Sequence, residues 1–386
     1  METNTKHISA FSSGTWERQY GYRSFLPELI NLEWLIDDPI LQSLLSDADR
    51  KLGELNAYGR LIPEVDFFIQ MYAAKEATES SRIEGVETRI LESMMLESDI
   101  EPERRDDWAE VQNYIKAMRF AITSLETLPL SSRLLCQTHA VLLDGVRGKQ
   151  KLPGEYRVSQ NWLGGASLSD AVFIPPHHHQ IPSLMSDLEY FLHNEDIATP
   201  HLIRAGIAHY QFETIHPFLD GNGRLGRLLI TLYLVSNGLL TKPALYLSDF
   251  INRNKGLYYD NLTKVRDRND LNQWLRFFLV GVRETAEDAT DTFQKIIALK
   301  EEVSLKCLNQ LGKRLILGQK LIQELYKKPV TNAQQVAQML NVTTTTANRL
   351  IAEFQKLGIL QEKTGYRRNR MFVFTEFLQL FQKEAL

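Results

Sequence analysis

The chain has 386 residues, a formal net charge of −4 from 44 Lys and Arg against 48 Asp and Glu, and 44% hydrophobic residues. That length exceeds one ordinary core and predicts two or three domains. The absence of any apolar run of about eighteen residues excludes a helical membrane span, and the acidic balance excludes chain-wide attraction to nucleic acid.

In chain order, the N-terminal METNTKHISAFSSGTWERQYGYR has no contiguous apolar stretch. No secretory signal is expected from it, and the cytoplasm is the expected compartment. Residues 1–105 read as a helical region: a helix starts at Pro63, buries Phe67, Phe68, Met71 and Tyr72, and ends near Glu84-Gly85. Glu84 then sits at the negative end of a helix dipole, which costs roughly 0.3–1 kcal/mol unless a cation answers it. Asp106-Asp107 and Glu101–Glu103 read as a solvated linker.

Residues 106–287 show apolar spacings of three and four and predict helices near 111–125, 131–142, 181–193, 202–210 and 224–235. Between them, GEYRVSQNWLGGASLSDAVFIPPHHH (154–179) predicts a short hairpin turning at Gly164-Gly165. The histidines 177–179 that end it read as a polar loop, with no Cys or carboxylate cluster beside them. A helical connector over 288–314 precedes a small domain over 315–386. Cys136 and Cys307 lack disulfide or metal spacing and read as buried thiols.

The most informative segment is HPFLDGNGRLGR, 216–227. Pro217 keeps His216 out of the α region, so the histidine falls in a turn after the helix carrying Phe212. Gly221, Asn222 and Gly223 let backbone N–H groups converge where a new helix begins, a favourable seat for phosphate. Arg224 and Arg227 share a face and present guanidinium forks. Leu225, Leu228, Leu229 and Leu232 supply that helix's buried side. Asp220 at the mouth suits Mg²⁺, which takes one or two carboxylates plus substrate oxygens. A neutral His216 could accept a proton from an attacking hydroxyl. P-loop, dinucleotide-fold and EF-hand patterns do not fit the segment. These residues point to transfer from a nucleotide.

The segment resembles, position by position, the HPFx[D/E]GNGRxxR signature of Fic-domain proteins. The resemblance implies a mainly α fold, a Fic helical bundle with a β-hairpin flap. It also implies a protein adenylyltransferase that moves AMP from ATP, with Mg²⁺, to a Ser, Thr or Tyr hydroxyl of a target protein or of itself. On it His216 is the general base and Asp220 the metal ligand. Gly221, Asn222, Gly223, Arg224, Leu225, Gly226 and Arg227 form the nucleotide-binding run, with Tyr259 of NKGLYYDNL on the adenine side. Residues 161–176 correspond to the flap that docks the target. Ser80, Glu84 and Gly85 resemble the family's inhibitory motif [S/T]xxxE[G/N], in which the glutamate pairs with the second arginine, here Arg227, and obstructs the γ-phosphate. Removal of AMP is open to the same site, and UMP or phosphocholine can replace AMP within the family.

Residues 331–374 read as helix, turn, helix, strand, basic tip and strand, and resemble a winged helix-turn-helix. DNA binding through Arg349, Arg367, Arg368 and Arg370 is one expectation for that module. Protein interaction, a homodimer included, is the other. An alternative for the whole chain is an ATP-sensing transcriptional or interaction protein without group transfer.

Overall fold

The computed structural model describes residues 5–61, 65–145, 150–365 and 370–382. The chain opens on four short strands: β1 (Thr5–His7), β2 (Gly14–Arg18), β3 (Arg23–Pro27) and β4 (Glu33–Leu35). β2 and β3 form an antiparallel hairpin, while β1 lies parallel to β4 with Thr5 opposite Glu33. A purely helical N-terminal region was expected. These strands escape periodicity because each is only three to five residues long, and the β1–β4 pairing joins positions 28 apart.

α1 (Pro39–Leu61) runs along α11 (Leu271–Gln310), a 40-residue helix that passes without a break through the expected division at 287/288. Its buried positions, among them Val282, Ala286, Ala289, Phe293, Ile296, Leu299 and Val303, continue one apolar stripe across that boundary, so no signal for a stop exists there.

α2 (Val65–Ile83) is the central element. Pro63, the expected start, lies outside the described residues. Small side chains along α2, Ala73, Ala74, Ala77, Thr78, Ser80 and Ser81, are all buried and allow neighbouring helices to approach from several sides. These neighbours include the short α3 (Ile90–Ser93), α4 (Arg105–Ser124), α8 (Asn222–Ser236), α9 (Ser248–Arg253) and α12 (Leu315–Lys327).

α5 (Ser132–Leu142), capped by the Ser131 hydroxyl, packs on α4, and α6 (Ile181–His193) packs on α7 (His201–Ile215), which in turn lies against α8. α10 (Lys255–Arg268) follows α9.

The C-terminal unit holds α12, α13 (Ala333–Leu340), α14 (Thr344–Lys356), α15 (Thr375–Gln379) and a three-stranded sheet ordered β5–β7–β6, from Val330–Thr331, Phe372–Val373 and Gln361–Glu362. Asn332 and Gln335 make a capping box at α13, and Thr343 caps α14. Phe68 and Tyr72 of α2 pack on Tyr326, Phe377 and Phe381 of this unit, with ring centroids 5.1–6.1 Å apart. Arg349 is exposed on α14 and Arg370 lies over the Phe372 ring, while Arg367 and Arg368 fall outside the described residues. Among the described residues no helix is long and apolar enough to cross a membrane.

Candidate active site

His216 ends α7 in the left-handed region, φ 50° and ψ 60°, a conformation that costs a non-glycine residue energy and turns the chain sharply into Pro217. The loop that follows is locked by Asn222, whose amide accepts from Phe218 N–H and donates to Phe218 C=O, both at 2.9 Å. Gly221, at φ 76°, starts α8. The amides of Asn222, Gly223 and Arg224 therefore open the first turn of a helix, where no intrahelical acceptor exists for them. Asn222 serves by fixing the loop, so its expected role in anion binding falls to its backbone.

Leu225 is fully buried in the core, and a Cβ at Gly226 would collide with Glu213 Oε1. Both were counted in the nucleotide-binding run. The Leu225 side chain and the Cα face of Gly226 lie on the packed side of α8 because a helix turns successive positions by about 100°.

Burial first, then the charge of Arg157, lowers the His216 pKa to about 4. Its Nδ1 faces the Glu213 carbonyl oxygen at 3.4 Å. A carbonyl can only accept, so the proton belongs on Nδ1 and the lone pair on Nε2. His139 holds the other side of the loop. Its Nδ1 accepts from Gly154 N–H and its Nε2 donates to Asp220 C=O, each at 2.9 Å, while its ring stacks on Phe218 at 3.8 Å.

Asp220 remains 45% exposed, accepts from Gly221 N–H at 2.5 Å and lies 3.6 Å from Arg224. A small cavity of about 150 Å³ beside it is bordered by Asp106, Glu110, Asp144 and Arg224. A half-exposed carboxylate at the mouth of an amide cradle is a donor set that suits Mg²⁺ shared with phosphate oxygens.

Arg227 is buried at the centre of the site. Its Nε donates to Ser80 Oγ at 2.8 Å, and Nη2 donates to Ser80 C=O at 2.9 Å and to Glu84 Oε1 at 2.7 Å. α2 closes with a Schellman arrangement: Val86 N–H bonds Ser81 C=O, Gly85 N–H bonds Arg82 C=O, and Gly85 has φ 89°. That turn aims Glu84 over α8, and a Cβ at Gly223 would strike its Oε1. The glutamate thus occupies the space above the cradle. Burial opposes ionisation of Glu84 but is outweighed by Arg227, with help from Arg224, and its pKa is held below the ordinary value. The cation demanded by a carboxylate at a helix C-terminus is Arg227, 143 residues away.

Three further residues, outside the HPFLDGNGRLGR segment, complete the site. Arg157 is 1% exposed, and among the described residues its four acceptors are all carbonyls: His216 and Ile215 at the end of α7, and Ser159 and Pro176 at the two roots of the flap. Its burial lowers its pKa to about 10. Glu213 is buried beside Arg227, its Oε1 makes no hydrogen bond among the described residues, and desolvation raises its pKa to about 7. Glu110 of α4 accepts from Arg224 Nη1 at 3.2 Å. Only a turn-rich GEYR and an acid three residues before His216 mark the first two in the sequence.

The flap differs from the hairpin expected. Only Leu163 and Phe173 bridge, with Leu163 N–H to Phe173 C=O at 2.8 Å, and residues 164–171 form a loop. Asp170 explains this: its carboxylate takes the Ala166 and Ser167 amides, which a longer ladder would have used. Phe25 of β3 donates its N–H to Ile174 C=O at 2.9 Å, so the N-terminal hairpin extends the flap. Trp162, in the flap, is 40% exposed. Tyr258 is buried and bonds His209 Nε2 at 2.9 Å, whereas Tyr259 is 42% exposed.

Residues 42–123 match the Fic/DOC family N-terminal model, and residues 129–234 match the Fic/DOC family model. The chain is 28% identical over 260 residues to protein adenylyltransferase Fic of Drosophila erecta, covering 65% of this chain and 48% of that protein. To the Drosophila grimshawi protein of the same name it is 27% identical over 265 residues, 67% of this chain and 50% of that one. The chain therefore spans about half the length of the curated relatives it matches. A Fic family protein from Desulfovibrio desulfuricans has a similar fold, with TM-score 0.56 and 20% identity over 90% of this chain and 98% of that one. A Fic domain containing signaling protein from Bacteroides thetaiotaomicron gives TM-score 0.52 and 18% identity over 66% and 97%. The chain thus carries both Fic/DOC family domains, one after the other, between residues 42 and 234.

Proposed function

We propose that this chain is a protein adenylyltransferase restrained by its own Glu84. The observation that carries the reading is the convergence, in one loop, of a neutral His216, a half-exposed Asp220 and the open first turn of α8, beneath a glutamate seated on Arg227. ATP settles with its phosphates on the amides of 222–224, and Arg224 and Arg227 take the outer phosphates. A target hydroxyl attacks the α-phosphorus, the bond from that phosphorus to the bridging oxygen breaks, and pyrophosphate leaves. His216 Nε2 accepts the hydroxyl proton. Asp220 would hold Mg²⁺, which when bound supplies charge neutralisation on the phosphates. The exposed Tyr259 is the proposed adenine-side contact, and the flap at 161–176 the target's docking edge, by strand addition.

Glu84 competes for the same Arg227. While it is seated, the outer phosphate meets a carboxylate where it needs a guanidinium, and productive placement fails. Incubation of the Glu84→Gly chain with ATP and Mg²⁺ tests the reading by intact mass. A gain of roughly 329 Da, one added AMP, on the chain or on an added target is expected. His216→Ala in the same background should remove it. Absence of any adduct in Glu84→Gly would sink the proposal. Loss of 329 Da or so from a pre-modified target would instead assign AMP removal.

A second reading, ATP sensing with output through the C-terminal unit, is favoured by the direct packing of that unit on α2. His216→Ala separates the two, since sensing survives the loss of the base.

A further inference from the structure

His177, His178 and His179 take no part in the transfer chemistry. They follow Pro175-Pro176 at the root of the flap and form the entry to α6. Consecutive side chains on a helical turn ordinarily diverge. Here the ring centroids lie 4.2 Å apart for 177–178, 4.2 Å for 178–179 and 5.0 Å for 177–179. One nitrogen from each ring lies within 4.8 Å of the other two. His178 Nδ1 is shielded from solvent and makes no hydrogen bond among the described residues. His177 and His178 are half-buried and His179 is exposed.

Two charges act on the cluster. Glu17 of β2, which accepts from Gln180 Nε2 at 3.1 Å, favours positive charge at His177, and Arg157 opposes it. Burial, the neighbouring rings and Arg157 lower the pKa values of His177 and His178.

We propose that His177, His178 and His179 form a binding site for a divalent transition-metal ion of the zinc class, each ring giving one nitrogen and water completing the shell. Metal–nitrogen bonds of about 2.0–2.1 Å in a tetrahedron bring the nitrogens to about 3.3 Å from one another. Half-exposed rings reach that spacing by rotation about their side-chain bonds. An all-imidazole set disfavours Mg²⁺, so the site is chemically distinct from Asp220. Because Pro176 C=O accepts from Arg157 Nη2 at 2.6 Å, an ion held here would stiffen the flap root.

Calorimetric titration of the full chain, stripped with a chelator and then exposed to ZnCl₂ or MgCl₂, tests the site without reference to catalysis. One zinc per chain is expected, with no Mg²⁺ heat assignable to these residues. His178→Ala should weaken zinc binding by about tenfold or more. The His177→Ala/His178→Ala/His179→Ala chain, checked for an unchanged circular dichroism spectrum, should lose zinc binding and the zinc-dependent rise in Tm expected of the parent. No zinc binding at about 100 μM, or unchanged affinity in the folded triple variant, would overturn the assignment.

Discussion

Glu84 and Arg227 meet at 2.7 Å across 143 residues, and they do so directly above Gly223, the middle amide of the helix turn proposed to hold phosphate. Arg227 is anchored a second time by the hydroxyl and carbonyl of Ser80, one turn earlier on the same helix. The contact is therefore a clamp of α2 on α8, proposed as inhibitory, in which Glu84 is the outer jaw and Ser80 the inner one.

Removing the inner jaw should loosen the clamp without abolishing it. Ser80→Ala leaves the buried Arg227 Nε without its acceptor, at a cost of about 1–3 kcal/mol. Adenylyl transfer from labelled ATP is expected to rise by about threefold, against about tenfold or more for Glu84→Gly, because the charged pair carries the larger share. Equal rates for parent and Ser80→Ala would show that the hydroxyl plays no part in restraint.

The pH profile should report the buried base. As the proposed base, His216 acts in its neutral form, and its folded pKa is lowered to about 4, so activity is retained above that value and lost as pH falls through it. In the Glu84→Gly chain the acid limb of kcat/KM should lie well below 6.5, the ordinary histidine value. A limb centred near 6.5 would place His216 in water instead.

Arg157 joins the His216 turn to both roots of the flap through carbonyls alone. Arg157→Met is expected to cost about 2–3 kcal/mol in stability, measured by urea unfolding, since hydrogen bonds to a charged group are lost and carbonyls are left buried. In the Glu84→Gly background it should lower kcat more than it raises KM for ATP, as the phosphate cradle is untouched. An effect on KM alone would contradict the positioning role.

Phe377 anchors the base of α2 through Phe68, with ring centroids 6.1 Å apart. Phe377→Ala should destabilise the chain by about 3–5 kcal/mol and, with Glu84 present, raise adenylyl transfer. No further rise is expected in Glu84→Gly/Phe377→Ala, because the clamp is already open; additive gains in that cycle would disconnect the C-terminal unit from the inhibitory helix.

Much of the site was legible locally. A proline that forbids helix at His216, glycines that free amides, and arginines three apart on a helix are constraints acting over one to four residues of chain, and HPFLDGNGRLGR carries them all. The Gly85 stop was legible for the same reason, since a Schellman close needs only its own turn. What tertiary structure decided is which distant groups meet them. Glu84 finds Arg227, Arg157 finds carbonyls 19, 58 and 59 residues onward, and β1 pairs with β4 through a register no alternation announces. The physical reason is that burying a charge or a strand edge demands a partner but does not name one. Local sequence states the demand, and only the packed chain supplies the group that meets it.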